Sequence, residues 1–147
     1  MPTATWNKFQ DFSEQLVRGV HDFDANTFKV ALTNSSPNAT DTQLSQITQI
    51  SSGGGYTTGG ETITTIGVSE SSGTTTVTGT QLQWTGSGSG FGPFRYAVLY
   101  NDSTTSPAPV DALIAWFDYG SAISVAASET FTLKFNNASP GTMFTLV

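Results

Sequence analysis

The sequence predicts a mainly β protein: an antiparallel β-sandwich or jelly-roll-like barrel with an N-terminal α-helix. Three observations carry this. Short apolar runs with period-two alternation recur along the chain, Gly, Ser, Asn and Pro clusters punctuate them every 8–15 residues, and the opening of the chain shows a sustained three- and four-residue apolar step. The 147 residues fit one domain, with residues 1–23 as the helical segment and 27–147 as the β-rich body.

The helix is expected from Trp6, Phe9, Phe12, Leu16, Val17 and Val20, which share one face at helical spacing. Thr5 is placed to cap it, with Lys8 where a capping box wants Glu, and Gly19 and the DFD run at Asp22 end it. Phe28, Val30 and Leu32 then alternate with Lys29, Ala31 and Thr33 as a strand. Asn34 to Asp41 reads as a loop, and Leu44, Ile47 and Ile50 mark a short helix or 3-10 turn. SSGGGYTTGG, Ser51 to Gly60, reads as a flexible surface loop. Glu61 to Val68 and Thr74 to Trp84 are Thr-rich strands about a turn at Ser71 to Gly73. TGSGSGFG, Thr85 to Gly92, is another loop. Phe94 to Asn101, Ala112 to Tyr119, Thr130 to Phe135 and Met143 to Leu146 complete about seven strands.

Two of these strands form an aromatic hairpin. With Arg95 set opposite Asp118, Ala97 faces Trp116 and Leu99 faces Ile114. Phe94 then faces Tyr119, Tyr96 faces Phe117, Val98 faces Ala115 and Tyr100 faces Leu113. This register joins the charges and matches small residues to large ones. Both faces of the hairpin are apolar, so one serves the core and the other needs a cover: the N-terminal helix or another subunit. The candidate interface residues are accordingly Trp6, Phe9, Phe12, Tyr96, Tyr100, Phe117 and Tyr119, with Arg95 and Asp118 as a structural ion pair.

Composition narrows function. There is no cysteine, which removes disulfides, thiolate metal sites and cysteine nucleophiles. Charged residues are 11% of the chain and the net charge is −6. Sparse Lys and Arg argue against nucleic acid and against an anionic membrane surface. No stretch is apolar enough to span a bilayer, and no secretory h-region opens the sequence, so synthesis and retention in a cytoplasm are expected. A surface of Ser, Thr, Asn, Gln and Gly desolvates cheaply, which suits contact between subunits and equally suits a plain stable β domain.

Catalytic chemistry is sparse. The single histidine, His21, is expected to close the end of the first helix. Gly86-Ser87-Gly88-Ser89-Gly90 has neither the Lys of a phosphate loop nor dinucleotide spacing, and no nucleophile elbow is present. Asp22, Asp24 and Asn26 open like a calcium loop, but Thr27 and Thr33 stand where its glycine and closing glutamate belong, so a helix-ending turn is expected. The carboxylates, Asp11 and Glu14 among them, give no facing pair for glycosidase work. Sequons at Asn34, Asn38, Asn101 and Asn137 are expected by chance in this composition. Trp84 and Trp116 sit at apolar strand positions and read as core rather than sugar platforms. No catalytic residue, metal ligand or cofactor is assigned, and the chain is read as not an enzyme.

Four stretches carry a resemblance: WNKFQDFSEQLVRGVHDF, TFKVALTNSSPNAT, GPFRYAVLYND and IAWFDYGSAISVAASETFTLKF. Together, from Trp6 to Phe135 and on toward Leu146, they resemble small virion structural proteins of tailed bacteriophages, similar to capsid decoration (cement) proteins. The resemblance implies a protein made in the host cytoplasm and held on the outer capsid surface. It implies the major capsid protein and further copies of itself, as dimer or trimer, for partners. A tail or head-tail component, or a host-glycan-binding module, is the alternative.

Overall fold

The computed structural model describes residues 3–147. Strands hold 47% of the chain and helix 6%, the sheets are antiparallel, and none closes into a barrel. In chain order the elements are β1 (Trp6–Lys8), α1 (Phe12–Val17), β2 (Phe28–Thr33), a 3-10 turn (Leu44–Gln46), β3 (Glu61–Thr62), β4 (Ile66–Ser71), β5 (Thr74–Gly79), β6 (Leu82–Thr85), β7 (Phe91–Asn101), β8 (Ala112–Val125), β9 (Thr130–Leu133) and β10 (Gly141–Leu146). A five-stranded sheet runs β1-β8-β7-β2-β3, beside a three-stranded sheet β10-β5-β4 and a two-stranded sheet β6-β9.

The two small sheets are halves of one interrupted ribbon. Thr85 pairs with Thr130 and Leu82 with Leu133; after a break, Gly79 pairs with Gly141 and Thr75 with Leu146. The loop 134–140 takes up the slack. Asn136 and Asn137 turn it with φ of 46° and 56°, the left-handed region that Asn tolerates better than most residues. Gly141 ends it because a Cβ there would lie 1.6 Å from the Phe135 carbonyl oxygen.

The main core joins side chains of the five-stranded sheet to side chains of this ribbon. Phe28, Val30, Leu32, Leu99 and Ile114 meet Val77, Leu82, Trp84 and Met143, all buried. Each such side chain contributes roughly 1.5–3 kcal/mol by leaving water. A second cluster covers the opposite face: Ala31, Val98, Tyr100 and Leu113 are capped by Phe9, Leu44 and Ile47. The cover for the hairpin's second face is therefore the chain's own Phe9 and 3-10 segment, rather than the helix or a neighbouring subunit.

The N-terminal segment departs from the expected helix of residues 1–23; its first two residues lie outside the described ones. Trp6–Lys8 is a strand, paired with Phe117, Trp116 and Ala115, and the Phe9 amide extends it with a 3.1 Å bond to the Ile114 carbonyl. Helix is confined to six residues, and Val17, assigned to its apolar face, is 88% exposed. The physical reason is that β8 offers an open ladder edge, while a helix this short is marginal and has no side-chain cap. Phe9 goes to the second cluster, while Phe12 enters the main core and Trp6 packs at its half-buried margin, both against Phe144.

The hairpin register also differs. Tyr96, Ala97, Val98 and Leu99 pair with Asp118, Phe117, Trp116 and Ala115, one residue from expectation, and the ladder then shifts so that Tyr100 meets Leu113 as expected. The shift leaves Ile114 as the extra residue, a β-bulge that absorbs a slip which would otherwise turn every side chain to the wrong face. The glycine-rich loop 51–60, read as a flexible surface loop, is anchored. Tyr56 is buried, and its hydroxyl accepts the Leu32 amide at 3.0 Å and donates to Gln49 Oε1 at 3.1 Å. A Cβ on Gly60, where φ is +77°, would lie 1.7 Å from the Val30 carbonyl oxygen, so glycine lets this loop lie directly on β2.

Candidate functional site

Residues of the ribbon from Thr130 to Asn137, together with residues of β1, β7 and β8, line an open groove of about 580 Å³. Trp6, Tyr96, Phe117, Tyr119 and Phe131 wall it, and the buried Phe94, Phe135 and Met143 lie beneath. Beside the groove the β7–β8 ladder is irregular: Tyr96 pairs with Asp118, but Phe94 next pairs with Ile123, so residues 119–122 are extra, and of these Tyr119 lines the groove. Gly120, at φ +96°, turns within this stretch.

The rings hold one another edge to face. Trp6 meets Phe117 at 5.8 Å and 72°, Phe94 meets Phe131 at 5.0 Å and 70°, and Tyr119 meets Phe131 at 6.4 Å and 70°. Such pairs add roughly 0.5–1.5 kcal/mol each beyond burial. The wall is thus braced while its rings remain half-exposed.

Arg95 and Asp118 stand at one end. Arg95 Nε donates to Asp118 Oδ1 at 2.7 Å and Nη2 to Oδ2 at 3.0 Å, a bidentate pair. The Gly120 amide donates to the same Oδ1 at 2.8 Å. The Arg95 hydrogen bond, then the Gly120 amide, hold the Asp118 carboxyl below the usual carboxylate range. The side chains are 39% and 36% exposed, so solvent screens the pair and its role is orientation more than stability. The guanidinium also lies 5.3 Å from the centre of the Tyr96 ring. Arg95 lies at the register irregularity between Phe94 and Tyr96, and its long side chain reaches the short Asp118 opposite Tyr96.

Of the seven sequence-assigned interface residues, Trp6, Tyr96, Phe117 and Tyr119 come together at the groove. Phe9, Phe12 and Tyr100 do not. Phe9 and Tyr100 belong to the second core cluster and Phe12 to the main one, so their rings are already spent on intrachain packing. Tyr100 additionally donates its hydroxyl to the Gly59 carbonyl at 2.6 Å, and burial pushes its pKa up. Phe131, Lys134, Asn136 and Asn137 line the groove and were not singled out by sequence. The alternation Phe131, Leu133, Phe135 was the available signal for an inward-facing strand.

His21 does not cap the helix, which ends at Val17 with Arg18 as its C-cap. The imidazole is buried, with ring centres 5.3 Å from Phe12 and 6.3 Å from Phe23. Asn101 Nδ2 donates to His21 Nδ1 at 3.2 Å and to Asn26 Oδ1 at 2.8 Å, which places the proton of the neutral ring on Nε2. Nε2 is buried without a partner. Burial lowers the pKa to about 4, against a smaller opposite pull from Asp11. Asp22 Oδ1 accepts the amides of Asp24 and Ala25 at 3.0 and 3.2 Å, and Asn26 Oδ1 accepts the Asp22 amide at 3.1 Å. These residues close a turn. Among the described residues, no group of three or more His, Cys, Asp or Glu is placed to hold a metal. Trp84 is fully buried, and Trp116 packs on Phe9 with ring centres 4.7 Å apart.

Compared with protein-family models, with curated proteins and with solved structures, the chain matches none. The groove combines braced aromatic rings, an oriented ion pair beside it, and Lys134, which makes no ion pair among the described residues.

Proposed function

We propose that this chain is a non-enzymatic structural component of a tailed-phage virion, a capsid decoration protein that binds the outer shell and bridges major capsid subunits. The observation that carries the reading is the aromatic groove: half-exposed rings braced by one another on a body whose other large rings, Trp116 and Phe144 apart, are buried. Rigid, amphipathic rings give contact area at little ordering cost, and they concentrate binding energy in interfaces. The sparsely charged surface supports the same reading, because little charge needs desolvation when such a protein seats on a shell. We read the ribbon, with β4, as the second layer of a β-sandwich that stiffens this surface. A decoration protein stabilises by mass action, since it binds the assembled shell and not its separated subunits, and repetition over many sites multiplies modest contacts.

The test is add-back to shells that lack the protein. Wild type is expected to bind saturably and raise the temperature at which the shell opens. Tyr119→Ala, which removes a groove ring with few core contacts, is expected to bind more weakly while its own melting temperature changes little. Binding and shell stabilisation unaffected by Tyr119→Ala contradict the groove as contact surface. Failure of wild type to bind shells at all contradicts the decoration role and turns attention to tail or head-tail structures. Host-glycan binding is the second reading, and the same groove favours it: Asn136 and Asn137 line it together with its aromatic rings. Saturable retention on a glycan array, lost in Tyr119→Ala, is its signature.

A further inference from the structure

Residues 11–26 lie on the body with few polar ties. They pair with no strand, and among the described residues every backbone hydrogen bond they make stays within residues 9–26. Two side-chain links leave the segment: Lys8 bonds Ser13, and Asn101 bonds both His21 and Asn26. The rest of the hold is apolar. Phe12 enters the main core, and Phe23 stacks on Phe28 with ring centres 4.4 Å apart. Both rings also meet Phe144, at 5.5 and 5.3 Å. A segment with its own local hydrogen bonds and few ties to the sheets can open without them.

The Asn101 link fits one protonation state of His21. Asn101 Oδ1 accepts the Ser103 amide at 3.0 Å, which leaves Nδ2 to donate to His21 and Asn26. Asn26 Oδ1 is fixed as an acceptor as well, because it also takes the Asp22 amide. His21 Nδ1 must therefore accept, and a proton there sets donor against donor in a buried site. Nε2 has no partner that could share the charge. Asp11, before α1, pulls the ring toward its charged form. Asp22 and Asp24, in the turn, are the carboxylates of the hollow beside it, to which β4, β5 and β10 contribute no charged residue. On β7, Asn101 is neutral and Asp102 follows it; β2 adds the neutral Phe28 behind Phe23.

We propose that residues 11–26 form an acid-released strap, closed over Phe28 and Phe144 while His21 is neutral and lifting as a unit when the ring is protonated, with the sheets still folded. Lifting uncovers those two rings beside Val68 and Leu146, already 45% and 47% exposed where they line a hollow of about 410 Å³. A wider apolar surface is thus offered in acid and withdrawn at neutral pH. The sign follows from burial. The closed ring titrates at about 4 and a released one near its ordinary 6.5, so open straps gain population as pH falls between those values. The inference goes beyond the virion reading and is decided on the purified chain alone.

The test is amide hydrogen exchange on the full chain from pH 7 to pH 4, corrected for intrinsic rates and repeated in low urea. Protection at Gln15, Arg18 and Val20 is expected to fall roughly a hundredfold over that range, with little dependence on urea. Amides of β2 and β7 are expected to stay better protected and to depend steeply on urea, because they exchange through wider unfolding. His21→Gln keeps an acceptor for Asn101 and cannot take up charge, so strap protection should stay nearly level from pH 6.5 to 4. That variant also separates His21 from Asp22, whose Oδ1 accepts two amides of the turn. Asp11→Asn should extend the fall to lower pH. Strap and strand amides that exchange together with one urea dependence overturn the proposal. So do strap amides whose protection does not change with pH, a fall as steep in His21→Gln as in wild type, or an Asp11→Asn shift to higher pH.

Discussion

Phe9→Ala is expected to lower folding stability by roughly 3–5 kcal/mol. Phe9 is completely buried and spans Trp116 and the 3-10 segment, so its ring joins the cover to the second face of the aromatic hairpin. Removing it leaves a cavity between Leu44, Ile47, Val98 and Leu113, all of which are held in place by the surrounding sheet. Domains of this size have about 5–15 kcal/mol in total, so the loss is a large share. Urea unfolding monitored by tryptophan fluorescence checks it: the midpoint should fall with the slope unchanged. Trp6→Ala, at the half-exposed groove wall, should lose distinctly less. Equal losses at the two positions contradict the division between a core Phe9 and a surface Trp6.

Acidification from pH 7 to pH 4 is expected to remove roughly 3 kcal/mol through His21 alone. The sign follows from the buried ring: its folded pKa is lowered to about 4 from an ordinary 6.5, so the unfolded chain binds more protons between those values. Stability is therefore fully present above pH 6.5, declines as pH falls toward 4, and levels off below. Asp118, held low by Arg95, adds a further loss at the acid end of the carboxylate range. Asp111, pushed up by burial, acts in the opposite direction there. Chemical denaturation at half-unit pH steps checks the profile, and His21→Gln should flatten it between pH 6.5 and 4. A wild-type profile already flat in that window contradicts a buried neutral imidazole.

The strands were legible where side-chain alternation is strict. Phe28–Thr33 alternates cleanly and is β2, and the turn at Ser72 and Gly73 separates β4 from β5 as the sequence implies. The N-terminus was misread because a step of three residues serves two geometries. On a helix it builds one stripe; across a strand and a turn it sends Trp6 to the groove, Phe9 to the second cluster and Phe12 to the main core. The hairpin register was out of reach because the bulge at Ile114 leaves no mark in composition: Ile fits either face. Arg95 and Asp118 still meet, since the long, flexible arginine side chain tolerates a one-residue offset that packed rings do not.

The groove was half legible. Tyr96, Phe117 and Tyr119 announce an aromatic surface, but its second wall depends on the kink at Asn136 and Asn137, whose left-handed conformations divide the 130–146 run into β9 and β10. His21 was misassigned for a related reason. Its environment is made by Asn101, eighty residues away in sequence, and local pattern carries no trace of that contact.

The most direct measurement of the proposed role is the position and copy number of this chain in a reconstruction of the virion that carries it. The account predicts density on the outside of the shell at repeated symmetric or quasi-symmetric positions, in many copies, with Trp6, Phe117 and Tyr119 turned toward a neighbouring chain. Density confined to a tail ring or a fibre tip, or a groove open to solvent at every copy, contradicts it.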